Sequence, residues 1–454
     1  MKIRPAKHLI AAAGTVFLAL SVPAWAADYY VDQGHPNASD NNPGTEARPW
    51  RSLYRAAQAS LQPGDTVYVK AGTYDASQGG NWAGAAIKVP SGAPGKPVTF
   101  KSLPAHAAVL DSRGASPAIG VNRGGHVVID GFVIPNPGAR GISIFGEPGM
   151  PVRDVVIQNN IIYGTYTAGF DNTEGIRLEN AEQILVRNNK IYNSSNDNRT
   201  WNAAAVKTYK TKHVTIEHNE MFDVVSGVME KEASSYMTIR NNRIYDCRYG
   251  FVLSNQNGGV TEAVKFHNNI VQCNSGFETV SQASAEMRDV HVYNNTFAGY
   301  TSQGANANRH GQAFYIYNNI FHRTSSSVSN ADFYTQTGDT GQVKLMDYNL
   351  YSRNPKMVIG LWSLDRTYNS LAAWQAAGHR LDANSLLADP KFVNAAAGDF
   401  RLAAGSPALM AGRDSSGKAV NIGAYALGNE VIGLLPAAGK EDAPPSPPRL
   451  LKAQ

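Results

Sequence analysis

A short phrase of alternating apolar and polar residues, closed by two asparagines, recurs along the middle of the chain. Residues 155–160 read Val-Val-Ile-Gln-Asn-Asn, and the phrase returns with changes at its polar positions. The second asparagine recurs at intervals of 29, 30, 23, 27, 26 and 24 residues, at Asn160, Asn189, Asn219, Asn242, Asn269, Asn295 and Asn319. Period two indicates a strand with one buried face. A repeat of about 20 to 30 residues is typical of one turn of a solenoid.

The asparagines suit the corner between two strands of such a coil. Asn tolerates left-handed backbone and hydrogen-bonds locally, and amides stacked at one level of a coil can bond to one another as a ladder. The corners are not the Asn-Gly or Asp-Gly pairs of hairpins. The pattern therefore favours parallel strands in stacked coils, with a ladder of asparagines, over a sandwich built from hairpins.

A second strand in each turn opens after Gly or Ala, and its register predicts a charged patch. Its first inward residues align as Ile176, Val206, Val228, Phe251 and Phe277. The next residues then point outward in one column, namely Arg177, Lys207, Met229, Val252 and Glu278. A second outward column follows two residues later, with Glu179, Tyr209, Lys231, Ser254 and Val280. Lys207 and Lys231 become diagonal neighbours, while Glu230, which is predicted inward, weakens the alignment or marks a local bulge.

Both ends of the chain carry further motifs, and with them the chain resembles a known superfamily. The motifs are residues 28–32, 42–45, 48–50 and 63–67 near the start, and 388–392, 399–402, 405–408 and 421–425 near the end. Over roughly residues 28–427 the sequence is similar to the right-handed parallel β-helix proteins of the pectate-lyase superfamily. The resemblance implies an all-β solenoid. Helical spacing predicts an N-terminal cap helix over Trp50–Ala57 and a second short helix over Tyr368–Gly378.

The first 26 residues have the features of a signal peptide. Lys2, Arg4 and Lys7 form a basic start, residues 9–22 are mostly apolar, and Ala24-Trp25-Ala26 is a small-x-small cleavage site. We expect a secreted or periplasmic protein. The remaining ranges are an N-terminal cap with first strands over 27–95, coils over 96–355, a C-terminal cap region over 356–430 and a Pro-rich disordered tail over 431–454.

Composition and charge exclude several classes of protein. Of 454 residues, 43% are hydrophobic and 17% charged, which permits a buried core. The net charge of +5 falls to near +2 once the three leader cations are removed, which argues against a nucleic-acid binder. No stretch after the leader is long and apolar enough for a membrane span. We expect a monomer.

The two cysteines rule out a disulfide scaffold and a cysteine-rich zinc site. Cys247 and Cys273 hold the same place in adjacent turns, each three residues before a glycine. Rungs lie about 4.8 Å apart, which fits the Cα spacing of a disulfide. Two stacked free thiols fit the sequence equally well.

The outer patch suggests β-elimination on an acidic polysaccharide. That reaction removes a C5 proton beside a carboxylate, and needs cations for the carboxylate and a base near the ring. Crowding by other cations favours the neutral amine of a Lys, so Lys207 or Lys231 is the candidate base. Arg177 suits the substrate carboxylate through its planar fork, and Tyr209 is a candidate base or acid. Related lyases bear a Lys or Arg base on the same broad strand face, often with calcium.

Substrate contacts are predicted for four further residues. Glu179 and Lys210 belong to the patch, and Trp201 lies in the insertion 193–202, where it can stack on a sugar ring. Arg309 belongs to an Arg-His-Gly segment that resembles one in the alginate lyase and chondroitinase B family, although it lies 78 residues after Lys231. The sequence has no dense acidic calcium cluster, and residues 196–198 (Asn-Asp-Asn) offer oxygen ligands in a polar loop. A Ca²⁺ requirement stays open.

Two other functions remain open at this point. Hydrolysis needs two carboxylates roughly 5–9.5 Å apart, for which Glu179 with Glu230 or Glu232 is the candidate pair. A non-catalytic glycan-binding or surface protein would bind without turnover. Product chemistry separates the first of these from elimination, since only a lyase leaves a double bond.

Overall fold

The computed structural model describes residues 26–76, 87–197, 199, 202–255, 257–281, 285–307, 311–326, 329, 331–335, 340–360 and 365–436. Parallel strands wind in successive coils, which confirms the right-handed parallel β-helix. Residues 1–25 of the leader, Trp201, Arg309 and the tail beyond Pro436 lie outside the described residues. No described helix is long and apolar enough to cross a membrane.

Each coil has three faces. The first face, which carries the predicted patch, is formed by Ile87–Lys88, Ile119–Asn122, Arg140–Phe145, Glu174–Glu179, Ala204–Tyr209, Gln303–Ala307, Ala331–Thr335 and Met357–Ile359. Arg366–Tyr368 adds one antiparallel strand to it. The three strands Glu220–Glu232, Arg243–Asn255 and Ile270–Ser281 begin on the third face and end on the first.

The second face precedes the asparagine corner and the third face follows it. The second face contains Asp28–Val31, the first parts of Thr66–Asp75 and Val98–Asp111, and then Gly125–Asp130, Val152–Gln158, Ala181–Arg187, Lys212–Glu217, Ser235–Arg240, Gly259–His267, Ala285–Tyr293, Phe314–Tyr317 and Val343–Asp347. The third face also contains Val133–Pro135, Ile161–Tyr163, Lys190–Ser194, Thr296–Ala298, Ile320–His322, Leu350–Tyr351 and Leu386–Leu387.

The predicted asparagine ladder is present and continues one rung further, to Asn349. The side-chain amide of Asn219 donates to Asn242 at 3.0 Å, and Asn189 donates to Asn219 at 3.1 Å. Each ladder amide also donates to a backbone carbonyl, as Asn219 does to Val186 at 3.0 Å. The ladder side chains are fully buried, so these bonds satisfy polar groups that water cannot reach.

A column of small residues fixes where the first face begins. At Gly227, an added Cβ would lie 2.4 Å from a methyl group of Ile244 on the third face. Gly175 and Gly250 have equally close neighbours on that face. Because no larger side chain fits at this bend, the residue that follows each glycine starts the first-face strand in the same phase. The outward column that contains Arg177 and Lys207 depends on this phase.

The helices at both ends are shorter than predicted. The first is Leu53–Ala57, because Ser52 is its N-cap and Trp50 pairs with Val31 in a β-bridge instead. The second is Leu371–Ala376, capped by Ser370. A 3₁₀ turn at Ala395–Ala397 and the antiparallel pairs Phe392–Asn394 with Asp399–Leu402 and Gly412–Arg413 with Ala419–Val420 complete the C-terminal region. Coil strands extend from Asp28 to Leu387, into both ranges expected as caps.

Cys247 and Cys273 form a disulfide between adjacent rungs, with a Cα–Cα distance of 4.7 Å. Of the two alternatives left open by the sequence, the structure shows the bonded one. Both residues are buried at the junction of the third and first faces.

Candidate active site

The first face brings most of the predicted patch together. Arg177 stands opposite Lys207 in register, and Glu179 stands opposite Tyr209. The guanidinium of Arg177 lies 4.1 Å from the centre of the Tyr209 ring. These neighbours follow from the phase set at the glycine bend, as the sequence predicted.

Lys231 does not stand opposite Tyr209, which corrects the predicted second column. The register shifts between Thr208 and Tyr209, so Thr208 faces Glu230 and Tyr209 faces Glu232. Lys231 is therefore the extra residue of a bulge, and bulges re-aim side chains. The inward Glu230 marked this irregularity correctly.

Lys231 nevertheless joins the patch through two loop asparagines. Its amine donates to the side-chain oxygens of Asn172 at 3.2 Å and Asn202 at 2.8 Å. Asn172 also accepts from Lys207 at 3.3 Å and from the Tyr209 hydroxyl at 3.2 Å. One amide oxygen thus gathers both lysines and the tyrosine.

Glu174, which sequence reasoning missed, is the buried centre of the cluster. Its carboxylate lies 3.1 Å from Arg140, 3.1 Å from Arg177 and 3.2 Å from Lys207, and its side chain is fully buried. Arg140 was missed as well. Its place immediately before Gly141, one turn below Glu174 before Gly175, is the signal that would have found both residues.

Lys207 is fully buried, although an outward position predicted an accessible amine. The loops that carry Asn172 and Asn202 cover it, and the backbone carbonyl of Asn202 accepts from its amine. Burial lowers the pKa of Lys207 to about 8, although the Glu174 carboxylate acts in the opposite direction. An amine enclosed in this way contributes its charge to the patch without being exposed itself.

Lys231 is partly exposed, whereas Lys207 is fully buried. Burial is the main cause that lowers its pKa; the carboxylates of Glu174, Glu232 and Asp171 oppose the shift. A lowered pKa increases the fraction of neutral amine near neutral pH. Lys231 is therefore the lysine of the pair that combines access with basicity.

Arg177 is already held by protein carboxylates, which changes its predicted role. It pairs with Glu179 at 2.6 Å and with Glu174. Burial alone would lower its pKa, but these carboxylates and Tyr209 raise it. The guanidinium of Arg177, which was predicted to bind a substrate carboxylate, is thus occupied by Glu174 and Glu179. Arg177 supplies positive charge to the patch.

Tyr209 does not fit the role of a base. Burial and the charge of Glu174 raise the pKa of its phenol, so the hydroxyl keeps its proton. Its hydrogen bond to Asn172 is that of a donor.

Lys210 is largely exposed and pairs with Glu232 at 3.3 Å. It lies at the edge of the cluster. Trp201 and Arg309 fall outside the described residues, so their predicted substrate contacts stay predictions.

The donor set of this cluster does not fit a calcium ion. Ca²⁺ needs several oxygen ligands with negative charge, but Glu174 and Glu179 already pair with cations. In the nearby loop, Asn196 donates to Asp171, and Asp197 accepts from Tyr166 and from the Gly169 amide. Within the described ranges, no three His, Cys, Asp or Glu side chains converge as a metal site.

The cluster as a whole carries an excess of positive charge. Two carboxylates are surrounded by four cationic side chains, which are Arg140, Arg177, Lys207 and Lys231. At the edge, Glu232 pairs with Lys210, and Asp171 reduces the excess without cancelling it. Such a patch on a solvent-reaching face attracts an anionic ligand.

Comparison with known proteins agrees with this architecture. Residues 117–297 match the family described as the right handed beta helix region. A pectate trisaccharide-lyase from Bacillus licheniformis is 26% identical over 188 residues, which are 39% of this chain and 52% of that protein. The chain thus spans about half the length of that curated relative.

A solved structure supports the fold over a greater length. The crystal structure of pectate lyase Pel9A aligns with a TM-score of 0.53 and 18% identity, covering 88% of this chain and 96% of that one. At this identity the likeness speaks for the fold. The chain therefore has the fold of a right-handed parallel β-helix and is similar to proteins of the pectate-lyase-like superfamily.

Proposed function

We propose that this protein is an exported polysaccharide lyase that cleaves an acidic, uronic-acid glycan by β-elimination, with Lys231 as the base. The observation that carries the proposal is the partly exposed residue Lys231, whose amine bonds to two loop asparagines at the edge of a cluster with excess positive charge. The similarity to a pectate trisaccharide-lyase supports it. The basic and apolar leader with its small-x-small site supports export.

The cluster can supply each requirement of the elimination. Positive charge from Arg140, Arg177 and Lys207 stabilises the substrate carboxylate as negative charge develops beside C5. The neutral amine of Lys231 takes the C5 proton, the electron pair forms the C4–C5 double bond, and the C4–O bond breaks. The Tyr209 hydroxyl donates to the same Asn172 oxygen as Lys231, so it is placed to protonate the leaving oxygen.

The substrate must displace the loop amides from Lys231. Asn172 and Asn202 hold the amine in the structure. A sugar hydroxyl or carboxylate that replaces these acceptors brings the C5 proton to the amine. The asparagines are therefore positioning residues that keep Lys231 aimed before the substrate arrives.

The test uses the protein without its leader, incubated with pectate, alginate, glycosaminoglycans and bacterial exopolysaccharides, with and without EDTA. We expect ultraviolet absorbance of unsaturated uronyl ends to rise together with reducing ends on at least one acidic glycan. The signal should vanish in Lys231→Ala, and EDTA should leave it unchanged. Absorbance that persists in Lys231→Ala would contradict the assignment of the base.

The alternative of hydrolysis loses one of its candidate residues. Glu230 lies inside the coil and is fully buried, so it cannot reach a glycan. Glu179 and Glu232 remain, on either side of Tyr209, with backbones about 9.6 Å apart at two rung spacings. Each already pairs with a cation. Reducing ends without absorbance would favour this pair, and binding without either signal would favour a glycan-binding protein.

A further inference from the structure

A polar cleft lies where the third face bends into the first, apart from the cationic cluster. Its volume is about 570 Å³, which is within the range of ligand pockets. Its walls are formed by residues at or just beyond the ends of four successive third-face strands, among them Gly114, Asn136, Gly164 and Ser195. The cleft therefore follows the coil axis over three rung spacings, or ~14 Å.

The lining of the cleft is accessible and rich in neutral polar groups. Asn136, Thr167 and Asn193 are exposed, and Ser195 is partly exposed. A Cβ added at Gly164 would lie 2.2 Å from the side-chain oxygen of Asn136, so glycine at this position leaves that amide its place. Amide and hydroxyl groups both donate and accept hydrogen bonds, as the hydroxyls of a sugar do. The lining can therefore exchange hydrogen bonds with a saccharide.

Tyr166 adds an aromatic surface to the cleft. The residue is 48% exposed, and its hydroxyl donates to Asp197, which also accepts from the Gly169 amide at 2.7 Å. Tyr163, three residues earlier, stacks on Tyr192 with ring centres 4.9 Å apart. Among the described residues no second ring stacks on Tyr166. A ring that is anchored at its hydroxyl and exposed along its body suits the C–H face of a pyranose.

No charged side chain lines the cleft within the described ranges. Three charged residues belong to the same turns, but each has a partner in the protein. Arg113 lies 3.7 Å from Asp75, Arg199 lies 3.3 Å from Asp223, and Asp197 accepts the two hydrogen bonds given above. The cleft thus offers hydrogen bonds and an aromatic ring without a counter-ion for a carboxylate. In this it differs from the cationic cluster, which attracts anions.

We infer that this cleft is a second carbohydrate site, which binds a neutral saccharide through the Tyr166 ring and the surrounding amides and hydroxyls. The loop 164–173 contributes to both sites, since Tyr166 lines the cleft while Asn172 accepts from Lys207 and Lys231. The inference goes beyond the proposed elimination and does not depend on it, because a neutral ligand needs neither a base nor an excess of positive charge.

The test measures binding to the protein without its leader, by calorimetry and by saturation-transfer NMR. The probes are neutral oligosaccharides of glucose, galactose, mannose, xylose and arabinose. We expect at least one of them to bind and to receive saturation mainly at the C–H protons of one ring face, as stacking on an aromatic ring requires. Tyr166→Ala should weaken its binding about tenfold. Tyr166→Phe keeps the ring and should bind like the wild type, and an excess of trigalacturonate should not displace the neutral ligand.

The matched control is Tyr236→Ala, because Tyr236 on the second face is also 48% exposed. It should bind the neutral ligand like the wild type. Failure of every neutral probe to bind would overturn the inference, and so would unchanged binding in a folded Tyr166→Ala. An equal loss in Tyr166→Ala and Tyr236→Ala would also contradict it. Displacement by trigalacturonate would place the neutral sugar at the cationic cluster and would overturn the second site.

Discussion

The asparagine corner and the outer side of the first face are both columns of stacked side chains, but they are built on opposite principles. In the corner, one residue type repeats, and each amide repeats the bonds of the last. On the outer first face, Arg177 stacks on Lys207, and apolar and acidic residues follow. The repeated asparagines hold adjacent coils together. On the outer first face, charged side chains gather where the residues of one coil differ from those of the next.

The difference also shows in how each column satisfies its polar groups. Each ladder asparagine finds its partners within the coil. The charged cluster depends on loop residues, since Asn172 and Asn202 reach over the face to hold both lysines. Function on this scaffold is therefore expected where loops complete the face.

The largest effect is expected from Lys231→Ala. If Lys231 is the base, this change should lower kcat by ~10²–10⁴-fold and leave the melting temperature nearly unchanged. Lys190→Ala on the third face is the matched control and should keep full activity. Equal activity of the two variants on a cleaved glycan would remove Lys231 from the mechanism.

The pH profile sharpens the same assignment. A base acts when neutral, so the rate should rise with pH and level off at an apparent pKa below the ordinary Lys value, because burial lowers the pKa of Lys231. In Lys207→Met the positive charge beside Lys231 is lost, which raises the pKa of Lys231. The rising part of the pH–rate profile should therefore move to higher pH. An apparent pKa that is the same in Lys207→Met and in the wild type would show that the two amines do not interact.

Glu174→Gln should produce the next largest effect, on stability. The change removes the carboxylate shared by Arg140, Arg177 and Lys207, and leaves buried cations without compensation. Loss of one partner of a buried ion pair costs about 3–5 kcal/mol. Denaturant unfolding measures this loss in the free energy of unfolding, and Glu182→Gln on the exposed second face is the control. A loss as small as in the control would mean that solvent reaches the cluster.

Asn219→Ala tests the ladder alone. The backbone and side-chain amides of Asn189 both donate to Asn219, so two buried donors lose their acceptor, at about 1–3 kcal/mol each. The melting temperature should fall, while activity at low temperature persists. The exposed Asn37→Ala should change neither. Loss of activity without loss of stability would show that Asn219 contributes to the active site and not only to the fold.

The smallest effect is expected from Glu230, on the inner side of the bulge. Burial raises its pKa from 4.5 to about 7. Its contribution to stability is full below pH 4.5 and is lost as pH rises to about 7, at up to about 1.4 kcal/mol per pH unit. Glu230→Gln should remove that slope from the melting temperature. Identical slopes in both proteins would show that Glu230 is ionised when folded.

The repeat made the fold predictable. Each coil needs the same asparagine corner, so the same residues recur at similar intervals along the sequence. The asparagine phrase predicted the ladder, and the glycine before Arg177, with Ala205 before Lys207, predicted their register. The helices were predicted too long, since Ser52 and Ser370 start them later than the apolar spacing suggested.

The sequence by itself determined the coil, the ladder, the placement of Cys247 and Cys273 in adjacent rungs and the first outward column, because each follows from local periodicity. Only the tertiary structure decided which lysine reaches solvent. The bulge at Tyr209 and the loops that carry Asn172 and Asn202 bury Lys207 and leave Lys231 accessible. Burial of a charge depends on residues distant in sequence, and no periodicity along one strand contains that information.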